Sequence, residues 1–182
     1  AVTAYLAAPR KIRLLCDAIS ETDIRYVVLR CMTEISQALS MEYSEDLKGI
    51  IDFSHELLYR FGNRKLGIAV QRLGQEPTRK LLADDRLVGP ALLCLKNHVT
   101  PSFLMVGIAA GYTYDDPDDP GSAEIQAAIR RFGIAYAIEQ YSGIGKDSPL
   151  SESVLTYYQM LKEGRPLKEI TAAAEYAGWG TV

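Results

Sequence analysis

The chain has 182 residues, 48% of them hydrophobic and 24% charged, long enough to close one sizeable hydrophobic core and short for two. With 20 Lys and Arg against 23 Asp and Glu, the formal net charge is -3; no general basic field attracts nucleic acid or anionic lipid, and any anion must be held locally. No apolar run reaches the ~18 residues of a membrane span, and the opening AVTAYLAAPRKIR places its basic residues after its apolar ones, the reverse of a secretory leader.

In chain order, apolar residues recur at helical intervals through Leu6 and Ile12 to Ile19, and again from Tyr26 through Val27, Val28, Cys31, Ile35 and Leu39. The same period marks Leu47 to Phe61, Leu87 to Leu95, Ile125 to Tyr141 and Val154 to Leu161. Val99 to Tyr112 is ambiguous by periodicity, but its length and Ala content predict a buried helix beginning after Thr100, with Pro101 in its first turn. Start signals are Ser20 and Thr22 for the second segment, Ser44 with Glu45 and Asp46 for the third, and Asp119-Pro120 for the helix entering at Gly121. No alternating β-branched run bounded by hairpin turns occurs, so the expected fold class is all-α. Three irregular segments separate the helices, GNRKLGIAVQRLGQEPTRK, TYDDPDDPG and SGIGKDSPLSE; the tail from Gly164 reads as one short helix with a loose terminal GWGTV.

Cys16, Cys31 and Cys94 are odd in number, widely spaced and without a CxxC pair, which predicts three buried, reduced thiols and neither a disulfide framework nor a zinc site. The reading is a cytoplasmic protein. His55 and His98 stand alone, without a second ligand at helical spacing, and His98 in LKNHVTP reads as a neutral, hydrogen-bonded turn histidine. Asp115, Asp116, Asp118 and Asp119 lack the alternate-ligand spacing of a calcium loop and read as an exposed acidic turn that caps the next helix. No metal is expected. Neither a GxSxG elbow nor a GxGxxG after a strand is present.

One stretch stands apart, QRLGQEPTRKLLADDRLVGPALL, Gln71 to Leu93. Gly74 and Pro77 predict a bend, with a new helix start at Ala83-Asp84, and the bend could aim Arg72, Arg79 and Lys80 at one anion. The alternative is a solvated basic loop paired with Asp84 and Asp85.

The run RFGNRKLGIAVQRLGQEPTRKLLADDRLVGPA, Arg60 to Ala91, resembles the mannitol-1-phosphate 5-dehydrogenases and related long-chain polyol dehydrogenases, whose pattern is RF-N-x-x-L…RVGR-x-P-x-RKL…DRL. AVTAYLAAPRKIRLLCDAI, VGIAAGYTYDDPDDPGSAEIQAAIRRFG and AIEQYSGI…SVLTYYQML resemble further segments of that family, so the likeness covers residues 1–163 in order and gives out after Gly164. It implies the carboxy-terminal, multi-helical substrate domain, of the kind seen at the carboxy terminus of 6-phosphogluconate dehydrogenase, followed by a 164–182 extension. The amino-terminal Rossmann domain that holds NAD, and the family's K-x-x-x-x-N-x-x-H catalytic motif, would lie before Ala1. No catalytic or cofactor-binding residue is therefore expected on this chain, and by itself it should be inactive.

The family's polyol-binding arginine and lysine fall on Arg72 and Lys80, with Arg79 of the RKL motif a candidate for the sugar phosphate. Asn63 is expected to hold a bend by side-chain to backbone hydrogen bonds. Ile68 stands where the family usually carries an Asp, which would loosen the orientation of Arg72, and Gln75 has no assigned role. The likeness implies a sugar phosphate or polyol as ligand. Two other readings remain open: a relative acting on another polyol or a hexuronate, and a free-standing helical interaction module with an exposed apolar face.

Overall fold

A computed structural model describes residues 1–179, with side chains through Ala177. Among these there is no strand; the nearest approach is a single antiparallel bridge between Leu14 and Ala69. Twelve α-helices build the domain: α1 (Val2–Ala7), α2 (Leu15–Ser20), α3 (Thr22–Tyr43), α4 (Leu47–Phe61), α5 (Val70–Gly74), α6 (Pro77–Lys80), α7 (Val88–Lys96), α8 (Ser102–Thr113), α9 (Pro120–Phe132), α10 (Ile134–Ser142), α11 (Pro149–Lys162) and α12 (Leu167–Trp179). The chain is all-α, as its periodicity predicted.

The axis of the fold is α8. Its sequence, SFLMVGIAAGYT, is apolar on every side, and a helix of that kind is stable only when surrounded. Every residue from Ser102 to Tyr112 is buried, enclosed by α1, α3, α7, α11 and α12. Small residues let these neighbours close in: a Cβ on Gly107 would stand 2.7 Å from Val2, and one on Gly111 would stand 3.0 Å from Leu81. Within the apolar start AVTAYLAA, Thr3 to Ala7 are all buried, and Ala1, Val2 and Ala8 pack partly buried against the core.

Several element boundaries differ from the sequence reading. The first amphipathic segment is two helices, because Pro9 enters a 3-10 turn at Ala8–Arg10 and Lys11 then adopts a left-handed φ of 57°. The Ile125 to Tyr141 segment is likewise α9 and α10, divided at Gly133, whose φ of 87° no helix continues through. Neither Ser20 nor Thr22 caps α3: its N-cap is Glu21 without a side-chain bond, and Ser20 Oγ turns back to the Cys16 carbonyl. Pro101 is the N-cap of α8 rather than part of its first turn. The expected helix start at Ala83-Asp84 is a run of turns, and α7 begins at Val88.

Other caps agree. Asp46 accepts from the Lys48 and Gly49 amides, and Asp119 accepts from Ser122 N at 2.8 Å with Pro120 at the first position of α9. The tail forms α12, which places Leu167, Ile170 and Ala174 in the core. Of the terminal GWGTV, residues 180–182 lie outside the described residues.

Candidate functional site

The stretch around Arg72 to Lys80 folds as an elbow between α5 and α6. The bend is made by Glu76, which takes φ 57°, a left-handed conformation that costs a non-glycine residue roughly 1–2 kcal/mol. What holds it is Asp119, whose Oδ2 accepts the Glu76 N–H at 2.8 Å while Oδ1 caps α9. Pro77 then opens α6. Gly74, expected to contribute the bend, serves a different end: it is the last residue of α5, and a Cβ there would lie 2.7–2.9 Å from the Tyr114 ring. Tyr114 in turn lies 5.1 Å from Tyr5, centroid to centroid, and its hydroxyl donates to Asp116 at 3.0 Å.

Lys80 closes the elbow from inside. Only 5% of the residue is exposed, and Nζ donates to the carbonyl oxygens of Leu73, at 2.8 Å, and of Gln75. Those carbonyls form the open, partially negative end of α5, where a cation is favoured. Burial, and after it the charges of Arg86 and Arg79, push the ammonium below its ordinary value.

The other two candidates are disposed differently. Arg72 is exposed and makes no hydrogen bond or ion pair among the described residues, and Ile68 packs half-buried against the core. Arg79 is drawn back along its own helix to Glu76, with Nε at 3.0 Å. Arg86 binds Asp85, Nε to Oδ1 at 2.9 Å; the amide and guanidinium of Arg86 together hold that carboxyl below its usual range. The elbow thus gathers Lys80, Arg86 and the Arg79–Glu76 pair around Asp85 and Asp119, while Arg72 stands free at its edge. Asp84 takes no part in the pairing that Asp85 provides.

Remaining candidates resolve simply. Asn63 Oδ1 accepts from Lys65 N at 3.0 Å, the local bond expected of it. The three cysteines are buried and unpaired, with burial pushing the Cys94 thiol up to about 12. His98 is exposed in its turn at φ 58° and donates its backbone N–H to the Leu95 carbonyl. The acidic turn is less exposed than predicted, because Asp119 is buried and Asp116 accepts from Gln71, Tyr114 and Asp118. No group of three or more His, Cys, Asp or Glu among the described residues could hold a metal ion. No described helix is long and apolar enough to cross a membrane.

Residues 1–162 match the family described as mannitol dehydrogenase C-terminal domain. The chain belongs to that family. Within it, relatives include mannitol-1-phosphate 5-dehydrogenases from Thermoanaerobacter pseudethanolicus, 37% identical over 163 residues, and Caldanaerobacter subterraneus subsp. tengcongensis, 36% identical over 162. The enzyme of the same name from Clostridium acetobutylicum is 31% identical over 163 residues. These alignments take in 89–90% of this chain but only 42% of each relative. The mannitol dehydrogenase C-terminal domain described here therefore spans about two-fifths of the length of the curated relatives it matches.

A cavity of about 590 Å3 lies between Lys11–Arg13, the start of α5 and the Tyr114–Pro117 turn, and none of Arg72, Arg79 or Lys80 lines it. Sequence reasoning missed the second role of Asp119. The Asp-Pro signature announces a helix cap, but nothing local announces that the same carboxylate also reaches residue 76.

Proposed function

We propose that residues 1–163 are the substrate-binding domain of an NAD-dependent mannitol-1-phosphate 5-dehydrogenase, with 164–182 as an extension, acting in the cytoplasm to interconvert mannitol 1-phosphate and fructose 6-phosphate. The observation that carries this reading is identity of 31–37% to proteins of that name, sustained over nine-tenths of the chain. An amino-terminal Rossmann domain would hold NAD, which accepts the hydride. The residues of this domain bind and position.

Lys80 has three N–H groups and spends two on the elbow, which leaves one for a substrate hydroxyl or phosphate oxygen. Arg72, exposed and unpaired, offers a complete guanidinium fork for the phosphate. Arg79 must first leave Glu76 and is the weakest of the three.

The test is steady-state kinetics of the full-length protein. Lys80→Ala and Arg72→Ala should each raise KM for mannitol 1-phosphate at least about tenfold, roughly the loss of one charge-assisted hydrogen bond. Equal use of mannitol and mannitol 1-phosphate by the unmodified protein would move the assignment to another polyol or a hexuronate. The 182-residue chain alone should produce no NADH, and turnover by it would overturn the division of labour.

A further inference from the structure

The acidic turn and the start of α9 hold the elbow from both sides. On the α5 side, Asp116 accepts from Gln71 Nε2 at 3.2 Å, and the Tyr114 ring occupies the space that a side chain on Gly74 would need. On the α6 side, a Cβ on Gly121 would stand 2.9 Å from Thr78 Oγ1 and 3.4 Å from Pro77 Cδ, so α9 begins directly against α6. Between the two, the buried Asp119 accepts the Glu76 N–H and the Ser122 N–H, each at 2.8 Å.

Of these contacts, the one at Glu76 acts on a backbone torsion. Its φ of 57° is left-handed, a conformation that an acidic residue holds only when its surroundings impose it. With Pro77 and Thr78 seated on α9, turning Glu76 out of that conformation would swing its N–H, and α5 with it, away from Asp119. The carboxylate therefore sets the angle between α5 and α6.

Lys80 depends on that angle. It closes the single turn of α6, and its Nζ reaches back to the carbonyls of Leu73 and Gln75 at the end of α5. Pro77 has no N–H to offer the Leu73 carbonyl, four residues before it, and the ammonium takes the place of the missing donor. On the reading that Lys80 binds the substrate, we propose that Asp119 is a positioning residue for substrate binding: through the Glu76 N–H it fixes the elbow and so holds the Lys80 ammonium where its remaining N–H meets a substrate oxygen. Without the anchor the elbow is one of several arrangements, and apparent affinity falls in proportion to the fraction of molecules that keep it.

The test is steady-state kinetics of the full-length protein with mannitol 1-phosphate, comparing Asp119→Asn in two backgrounds. Asparagine keeps an oxygen to cap α9, but its second atom is an NH2 group that cannot accept from Glu76. With Glu76 present, Asp119→Asn should raise KM at least about fivefold and leave kcat within about twofold. With Glu76→Gly, where glycine takes the positive φ unaided, the same substitution should change KM by less than about twofold. Asp119→Ser, a capping residue with a shorter arm, repeats the comparison should Asp119→Asn fold poorly. Enzyme that was merely destabilised would lose active molecules, lowering apparent kcat at an unchanged KM in both backgrounds, and that result would overturn the proposal. Lys80→Ala separates the two levels. If it leaves KM unchanged, the substrate role of Lys80 fails and the positioning role falls with it. If it raises KM while the Asp119 variants do not, or while they act equally in both backgrounds, the positioning role alone is overturned.

Discussion

At position 80 a charged side chain lies almost wholly inside the domain, and its ammonium is tied to two carbonyls of the preceding helix. Lys80→Met keeps the apolar stem and removes those bonds, leaving the carbonyls short of a donor. Urea unfolding should show a loss of about 2 kcal/mol. Arg72→Ala, at an exposed and unpaired residue, should stay within about 0.5 kcal/mol of the parent. Both cations stand in the same basic run of sequence, and only burial tells them apart. Glu34 makes the same point for a carboxyl. Burial pushes it up to about 7, against the opposing effect of the Phe103 and Leu104 amides and Arg30. The groups around it are Arg30 and Cys31 on α3, Cys94 on α7, Tyr157 on α11 and Glu175 on α12. Because its folded value lies above the ordinary 4.5, the folded state holds the proton more tightly, so this contribution is complete below pH ~4.5 and is lost as pH rises to about 7. Stability should fall by at most about 3 kcal/mol across that window, and Glu34→Gln should flatten the profile; a parallel profile in the variant would refute the assignment.

Among the elements, the elbow between α5 and α6 shows how far local signals reach. Asp119-Pro120 and Pro77 are helix starts that a reader of the sequence can identify, and both are used as such. The bend itself was legible only as a bend. Its residue, Glu76, is held left-handed by a carboxylate 43 positions away, and no local rule places an acid in that conformation. Asp119→Ala removes the α9 cap and the Glu76 anchor together and should cost about 2 kcal/mol in thermal or urea unfolding. Gly74→Ala tests the other correction. Gly74 has an ordinary helical conformation, in which an alanine with free space around it would be nearly neutral or mildly stabilising; because the new Cβ overlaps the Tyr114 ring, a loss of about 1–3 kcal/mol is expected. The splits at Lys11 and Gly133 went unread for a related reason: the apolar period runs on across each break, so the pattern that identifies the helices also conceals their ends.

For the whole molecule, the core is organised by one helix that every packed neighbour uses, and α12 is among those neighbours. Family likeness ends at residue 162, yet Leu167 and Ile170 are buried and Glu175 reaches Arg30 and Tyr26. Removing 164–182 should therefore destabilise the domain by about 3 kcal/mol, the scale of exposing two large aliphatic side chains, measurable by urea unfolding of the shortened chain. An unchanged midpoint would show that the extension adds nothing to the core. From the sequence alone came the all-helical class, the buried α8, the caps at Asp46 and Asp119, the buried cysteines and the resemblance that family membership confirmed. All of these depend on period, composition or residues close together in the chain. Tertiary structure decided which cation is buried and which is free, and what bends the elbow. Those outcomes depend on distances between residues far apart in sequence, and a linear pattern does not contain them.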